Sequence, residues 1–382
     1  MNSKSVYLDN AATTPLDPEV LEAMLPFLKD HYGNPSSIHA HGRQVRSAIE
    51  HARKSVAELL NASPGEIFFT SGGTEADNTL IVCGVESYGL KHAISSRIEH
   101  HAVLHTLENL ERSGKISLSF VELDDEGHII PEHLEELLKN NPRSLVSLMH
   151  ANNEIGNIND LNLIGTLAEE YDAVFHSDTV QTVGHYRHDL QALKVQCITG
   201  AAHKFHGPKG AGFMYIRKGT KIHPFIHGGA QERDMRGGTE NVYGIIGTAK
   251  ALEIAYRDMD EHHSYIQGLK DRMIERLQAH VPEIGFNGDS TNPEKSLYTV
   301  LNVCLPESED NDMLLFTLDI NGISASGGSA CSSGASTGSH VLTALKTDPN
   351  RGAVRFSFSK FNTEEDIDYA VETLAEFYKV EV

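Results

Sequence analysis

Residues 145–178 read LVSLMHANNEIGNINDLNLIGTLAEEYDAVFHSD. Apolar runs at 145–150 and 173–178 flank a stretch, 161–171, whose apolar residues recur at helical spacing. Two strands joined by one such helix make a βαβ unit, with parallel strands and the helix on a sheet face. The second strand closes on Asp178, and open α/β sheets bind ligands at strand ends.

The alternation continues on both sides. Strands are predicted at 66–70, 92–96, 117–121 and 197–199, with helices at 75–87, 101–112 and 131–139. The segment GAGFMYIR (210–217) follows 197–199 by a loop too short for a crossover helix, so it is read as an antiparallel strand. The expectation is an α/β domain with a mostly parallel seven-stranded sheet, preceded by helices at 18–29 and about 44–60. Past Gly238 the texture changes. Residues 241–280 read as one long helix linking two domains. Strands at 299–304 and 353–358 and helices at 311–320 and 363–378 then predict a smaller α+β domain. Thr363 with Asp366 forms the capping box of the last helix. Three parts are expected: 1–16 joining the small domain, 17–250 as the large domain, and 251–382 as the small one.

Composition serves mainly to exclude. The 382 residues hold 32 Lys plus Arg against 53 Asp plus Glu, a formal charge of −21. That excess argues against a direct nucleic-acid binder, since phosphate affinity comes from clustered cations. No run approaches the ~18 apolar residues of a membrane span. The start, MNSKSVYLDNAATTP, lacks the pattern of a signal peptide, so a cytoplasmic protein is expected. Cys83, Cys197, Cys304 and Cys331 are widely spaced, with neither a zinc-ribbon nor a disulfide pattern.

Four features carry chemistry. Thr70-Ser71-Gly72-Gly73-Thr74-Glu75 joins a strand to a helix, where free N–H groups suit a phosphate; taken alone it reads more readily as a plain strand–helix turn with a Thr cap. Asp178, with Gln181 three residues on, needs a cationic or hydrogen-bonding partner if buried. A protonated heterocyclic nitrogen or a helix N-terminus would serve. Lys204, in GAAHKFHGPKG, is a surface charge or a Schiff-base amine. Cys331 lies in SASGGSACSSGASTGS (324–339), a flexible, backbone-rich composition. Its thiol is therefore a candidate nucleophile, whereas Cys83, Cys197 and Cys304 sit in apolar runs and read as core. A phosphate cradle, an acid, a lysine and a thiol together describe a pyridoxal phosphate site. His101 and His105 stand at a chelating i, i+4 spacing, but with no third ligand in view they read as a solvated helix face, and no metal is expected.

The chain resembles the cysteine desulfurases of the NifS/IscS type, in the class V aminotransferase group of fold-type I pyridoxal phosphate enzymes. The likeness runs through YLDNAATTP (7–15), GNPSS (33–37), TSGGTEADN (70–78), EHHAV (99–103), HANNEIG (150–156), SDTVQTVG (177–184), AHKFHGPKG (202–210), RGGTEN (236–241), SGGSACSSG (326–334) and VRFSF (354–358).

The resemblance implies roles. Lys204 is the Schiff-base lysine, Asp178 pairs with the pyridine nitrogen, Gln181 bonds the ring hydroxyl, and His100 stacks on the ring and serves catalysis by moving protons. Gly73, Thr74 and His203 bind the phosphate, and Thr239 reaches it from the second subunit of a homodimer. Asn153 and Arg355 hold the substrate carboxylate. Lys204 moves the Cα proton of L-cysteine, Cys331 takes the sulfur as a persulfide, and L-alanine leaves. A protein acceptor for iron–sulfur assembly, or for tRNA or cofactor thiolation, then receives the sulfur.

Three departures stand out. Ala201 replaces a serine that commonly donates to the phosphate, a loss of about 1.5–3 kcal/mol unless Thr199 or water substitutes. Residues 336–339 read STGS where Leu-Glu-Pro-Ser is usual. The sequence stops at Val382, short of the extension by which housekeeping members engage their scaffold. Selenocysteine lyase, cysteine sulfinate desulfinase and a non-catalytic sulfur-transfer partner are the competing readings.

Overall fold

The computed structural model describes residues 5–308, 310–327, 338–348 and 350–378. Cys331 lies outside the described residues. In chain order the first half holds β1 (Val6–Tyr7), α1 (Pro18–Lys29), α2 (Ala40–Leu59), β2 (Ile67–Thr70), α3 (Gly73–Tyr88), β3 (His92–Ser95), α4 (His101–Arg112), β4 (Ser117–Phe120), α5 (Pro131–Asn140), β5 (Leu145–Ser147), α6 (Leu161–Glu170) and β6 (Val174–Asp178). The rest comprises β7 (Cys197–Ala201), β8 (Gly212–Ile216), α7 (Val242–Arg257), α8 (Met259–His280), β9 (Gly285–Phe286), β10 (Val300–Glu307), α9 (Leu314–Ile320), β11 (Ile323–Ser324), α10 (His340–Ala344), β12 (Arg351–Ser357) and α11 (Glu364–Phe377).

The large sheet has the order β2-β8-β7-β6-β5-β3-β4. Only β8 is reversed, pairing antiparallel with β2 and β7, as the short loop before it requires. Strands β5, β6, β7 and β8 are buried along their whole length. Helices cover both faces, which is why these strands read as unbroken apolar runs rather than alternating ones. Val45, Ile49 and Val56 of α2, Ile164 of α6 and Leu252 of α7 pack on one face. Ile81 and Val85 of α3 and Val103 and Leu107 of α4 pack on the other. Because β2, β6 and β7 point the same way, Thr70, Asp178 and Ala201 emerge together at the carboxyl edge of the sheet.

A second core joins α8, β10, β12 and α11, with Leu269, Met273, Val303, Phe356 and Leu374 among its residues. Val6 and Leu8 belong to this core too, and β1 pairs parallel with β11. The capping box of α11 forms as read, Thr363 and Asp366 bonding reciprocally.

The expected single helix over 241–280 is instead two helices. Asp258 (φ −108°, ψ 13°) ends α7 and begins α8. Helix α7 lies against α1 and α2, whereas α8 packs on α11. Ala251, Leu252, Ile254, Tyr256 and Met259 join the large core, and the second core takes up this stretch from Ile266. The helix expected from 311 opens with a 3-10 turn over Asn311–Met313. Cys83 and Cys197 are core residues, but Cys304 is half-buried.

Candidate active site

The pocket at the sheet's carboxyl edge is built outward from the turn after β2. Gly72 takes φ +151°, and α3 begins at Gly73. A Cβ on Gly73 would stand 2.9 Å from Val180 Cγ2, so the start of α3 lies directly against the turn that follows Asp178. The first N–H groups of this 16-residue helix have no partner within the helix itself, and they suit an anion. Gly73, Thr74, Asp178, Gln181, His203 and Lys204 line one pocket. His100, Asn153 and Arg355 line it as well.

Asp178 is buried, and one carboxylate oxygen accepts the Val180 N–H at 2.9 Å. Burial first, then the nearby Asp77 carboxyl, pushes it up to about 7, while His176 and Lys204 pull the other way. Asp77 is likewise pushed up to about 7 by burial, and burial raises Glu99 as well. Asp77 and Asp178 both line the pocket, and two buried acids side by side favour a cationic guest.

Lys204 Nζ donates to the carbonyls of Ala11 (2.6 Å) and Ala12 (3.0 Å). Gln181 Nε2 donates to the same Ala11 carbonyl at 3.1 Å. His100 caps α4 by accepting the Ala102 N–H at 3.1 Å. Burial, with Lys204 and three neighbouring imidazoles, lowers it to about 4, so its ring is neutral at pH 7. His203, lowered to about 4 by burial and then by Lys204 and Lys209, stands 3.2 Å from the Thr13 hydroxyl.

Arg355 is 1% exposed. It donates through NH1 to the Asn153 carbonyl (2.9 Å) and through NH2 to Asp9 (2.8 Å), and its buried Nε has no partner. Asn153 thus meets the arginine through its main chain.

Other placements depart from the sequence reading. Thr199 does not replace the missing serine hydroxyl: it is not among the residues lining the pocket, and its hydroxyl lies 3.3 Å from His176 Nε2. The Ala201 side of the pocket is therefore a methyl group. Thr239 lies in a separate depression with Arg236 and Glu240. His101 and His105 stack 4.6 Å apart, with His340 4.4 Å from His101. Among the described residues no group of three or more His, Cys, Asp or Glu is arranged to hold a metal ion. No described helix is long and apolar enough to cross a membrane. Sequence reasoning missed Asp9, Asp77 and the carbonyls of Ala11 and Ala12. Both stretches were legible only as motifs, YLDNAATTP and TSGGTEADN.

The residues present fit pyridoxal phosphate. A glycine-opened helix N-terminus can take a phosphate, Asp178 keeps one carboxylate oxygen beyond its Val180 bond, and Lys204 lines the same pocket.

Residues 6–370 match the family model described as Aminotransferase class-V. The chain is 45% identical to the cysteine desulfurase IscS of Dictyoglomus turgidum, over 97% of this chain and 94% of that one. A solved NifS-like protein superposes with a TM-score of 0.90 at 38% identity, covering 98% of this chain and 99% of the other. SspA, solved in complex with cysteine, gives a TM-score of 0.81 at 30% identity, covering 94% of this chain and all (100%) of that one.

Proposed function

We infer that this chain, which belongs to the class-V aminotransferase family, is a cysteine desulfurase that takes sulfur from L-cysteine and releases L-alanine. The observation that carries the reading is one pocket holding Lys204, Asp178 and Arg355 together, in a chain 45% identical to a cysteine desulfurase.

Pyridoxal phosphate, when bound, supplies an electron sink for the bonds at the substrate Cα. Gly73, Thr74 and His203 would hold its phosphate, Asp178 its ring nitrogen and Gln181 its ring hydroxyl, with His100 against the ring. Arg355 receives the substrate carboxylate, as a charge-assisted bond from a desolvated guanidinium. Lys204 carries the cofactor and takes and returns the proton at the substrate Cα. The Cys331 thiolate attacks the substrate sulfur: the carbon–sulfur bond breaks, a sulfur–sulfur bond forms, and Cβ takes up the equivalent of the proton that the Cys331 thiol gave up, separate from the one Lys204 returns to Cα. Cysteine and one enzyme thiol become alanine and one enzyme persulfide, with no outside oxidant or reductant.

A second copy of the chain completes the site in this reading, through Thr239 at the phosphate. The formal charge of −21 favours a protein acceptor with a basic face. Unpaired buried Cys83 and Cys197 suit a reducing compartment, and the cytoplasm is the location we assign. The test is alanine formation from L-cysteine by the holoenzyme and by Lys204→Ala. The variant should lose at least about a thousandfold in rate; a variant with near wild-type turnover would reject the assignment.

A further inference from the structure

The arginine assigned to the substrate carboxylate is already held by a carboxylate of this chain. Asp9 Oδ1 accepts from Arg355 NH2 at 2.8 Å, across 346 residues of sequence. The Asp9 backbone is itself fixed, bridged to Ser357 of β12. Its neighbours tighten that hold: Asn10 Nδ2 donates to the Ser357 carbonyl and the Ala11 N–H to the Ser357 hydroxyl, both at 2.8 Å. Two residues on, the Ala11 and Ala12 carbonyls receive Lys204 Nζ. One short stretch of main chain therefore touches both the arginine and the lysine.

A guanidinium on a long side chain can swing between rotamers, and a bond to one nitrogen does not stop it. Here Asp9 pins NH2 and the Asn153 carbonyl pins NH1. Nε is buried and without a partner in the protein, and NH1 and NH2 each keep a second N–H beyond these bonds. A buried donor left unpaired is costly, and it marks where an acceptor belongs. We propose that Asp9 is a positioning residue for substrate binding: it sets the rotation of Arg355, which lines the pocket with Lys204, so that the donors its two protein bonds leave over meet the substrate carboxylate at a fixed offset from Lys204. Asp9 touches no reacting atom; it acts through Arg355.

This rests on Arg355 being the carboxylate anchor, so the experiment separates the two. KM and kcat for L-cysteine, and Ki for 3-mercaptopropionate (a carboxylate and thiol without the amine), are measured on the holoenzyme. The variants are Asp9→Asn, Asp9→Glu and Arg355→Ala. Asp9→Asn keeps the size of the side chain and removes the charge. It should raise KM and Ki together by about tenfold, the weight of one charge-assisted bond, with kcat within about twofold. Asp9→Glu should recover part of the loss, which a general loss of packing would not allow. Unchanged or lower KM in Asp9→Asn, or kcat falling in step with kcat/KM, overturns the proposal. If Arg355→Ala leaves KM and Ki unchanged, the anchor assignment fails and the Asp9 proposal fails with it.

Discussion

On one side of the pocket Gly73, Asp178 and Lys204 stand at or just beyond the carboxyl edge of a single sheet; on the other, Asp9, Asn153 and Arg355 come from three stretches that meet only through tertiary contact. The first side is set by β2, β6, β7 and the start of α3, whose strand pairing fixes relative position to within hydrogen-bond tolerance. The second depends on the N-terminal segment docking with the small domain and on one buried arginine held at two of its nitrogens. In the function proposed above, the difference separates two tasks: a sheet-built wall for the cofactor, and an assembled wall for the substrate.

If that division holds, damage to one wall should leave the other's parameter alone. Asp178→Asn should have the larger effect. Loss of the charge proposed to face the cofactor's ring nitrogen should cut kcat by about a hundredfold or more while KM moves only a few-fold. Arg355→Lys keeps the charge but loses the planar fork. It should raise KM by about tenfold to a hundredfold with kcat little changed. Steady-state kinetics on both holoenzymes checks this pair, and a variant that shifts both parameters equally breaks the comparison.

The pH dependence follows from the raised acid. Asp178 is pushed from its ordinary 3.8 up to about 7, so between these values the folded apoprotein holds a proton that the unfolded chain has released. Wild-type stability should therefore fall as pH rises from about 4 to about 7, relative to Asp178→Asn, which has no such proton. Thermal melts of both apoproteins across that range would show their Tm difference shifting toward the variant. A difference independent of pH would mean that the acid is not strained by its surroundings.

The two walls also differed in how far the sequence revealed them. The βαβ pattern at 145–178 disclosed the sheet because strands buried on both faces leave unbroken apolar runs. Asp178 and Lys204 stood out because strand ends can be located from such runs. Helical spacing continues through Asp258, however, so residues 241–280 looked like one helix when the chain turns there. Strands β1, β9 and β11 have two residues each, too few for any alternation to register. The Ala11 and Ala12 carbonyls are backbone groups that no side-chain pattern announces. The pairing of Asp9 with Arg355 joins opposite ends of the chain, which local reading cannot connect.

The smallest expected effect refines the cofactor wall. Ala201→Ser adds a hydroxyl at the methyl-lined edge, since the Thr199 hydroxyl sits beside His176 instead. Cofactor retention on dialysis should improve by only about two- to tenfold, with KM for cysteine unchanged. No improvement would mean that the phosphate is already satisfied there.

The central claim is that sulfur passes from the substrate to one particular thiol, and it can be read directly. Holoenzyme is given one equivalent of L-cysteine without reductant, alkylated and digested; the peptide containing Cys331 is then weighed, and alanine is counted in the same sample. The account predicts one added sulfur atom on Cys331, in step with alanine, and no persulfide or sulfide above background in Cys331→Ala. Alanine formed at the wild-type rate by Cys331→Ala, or sulfur found on Cys304 instead, would contradict it.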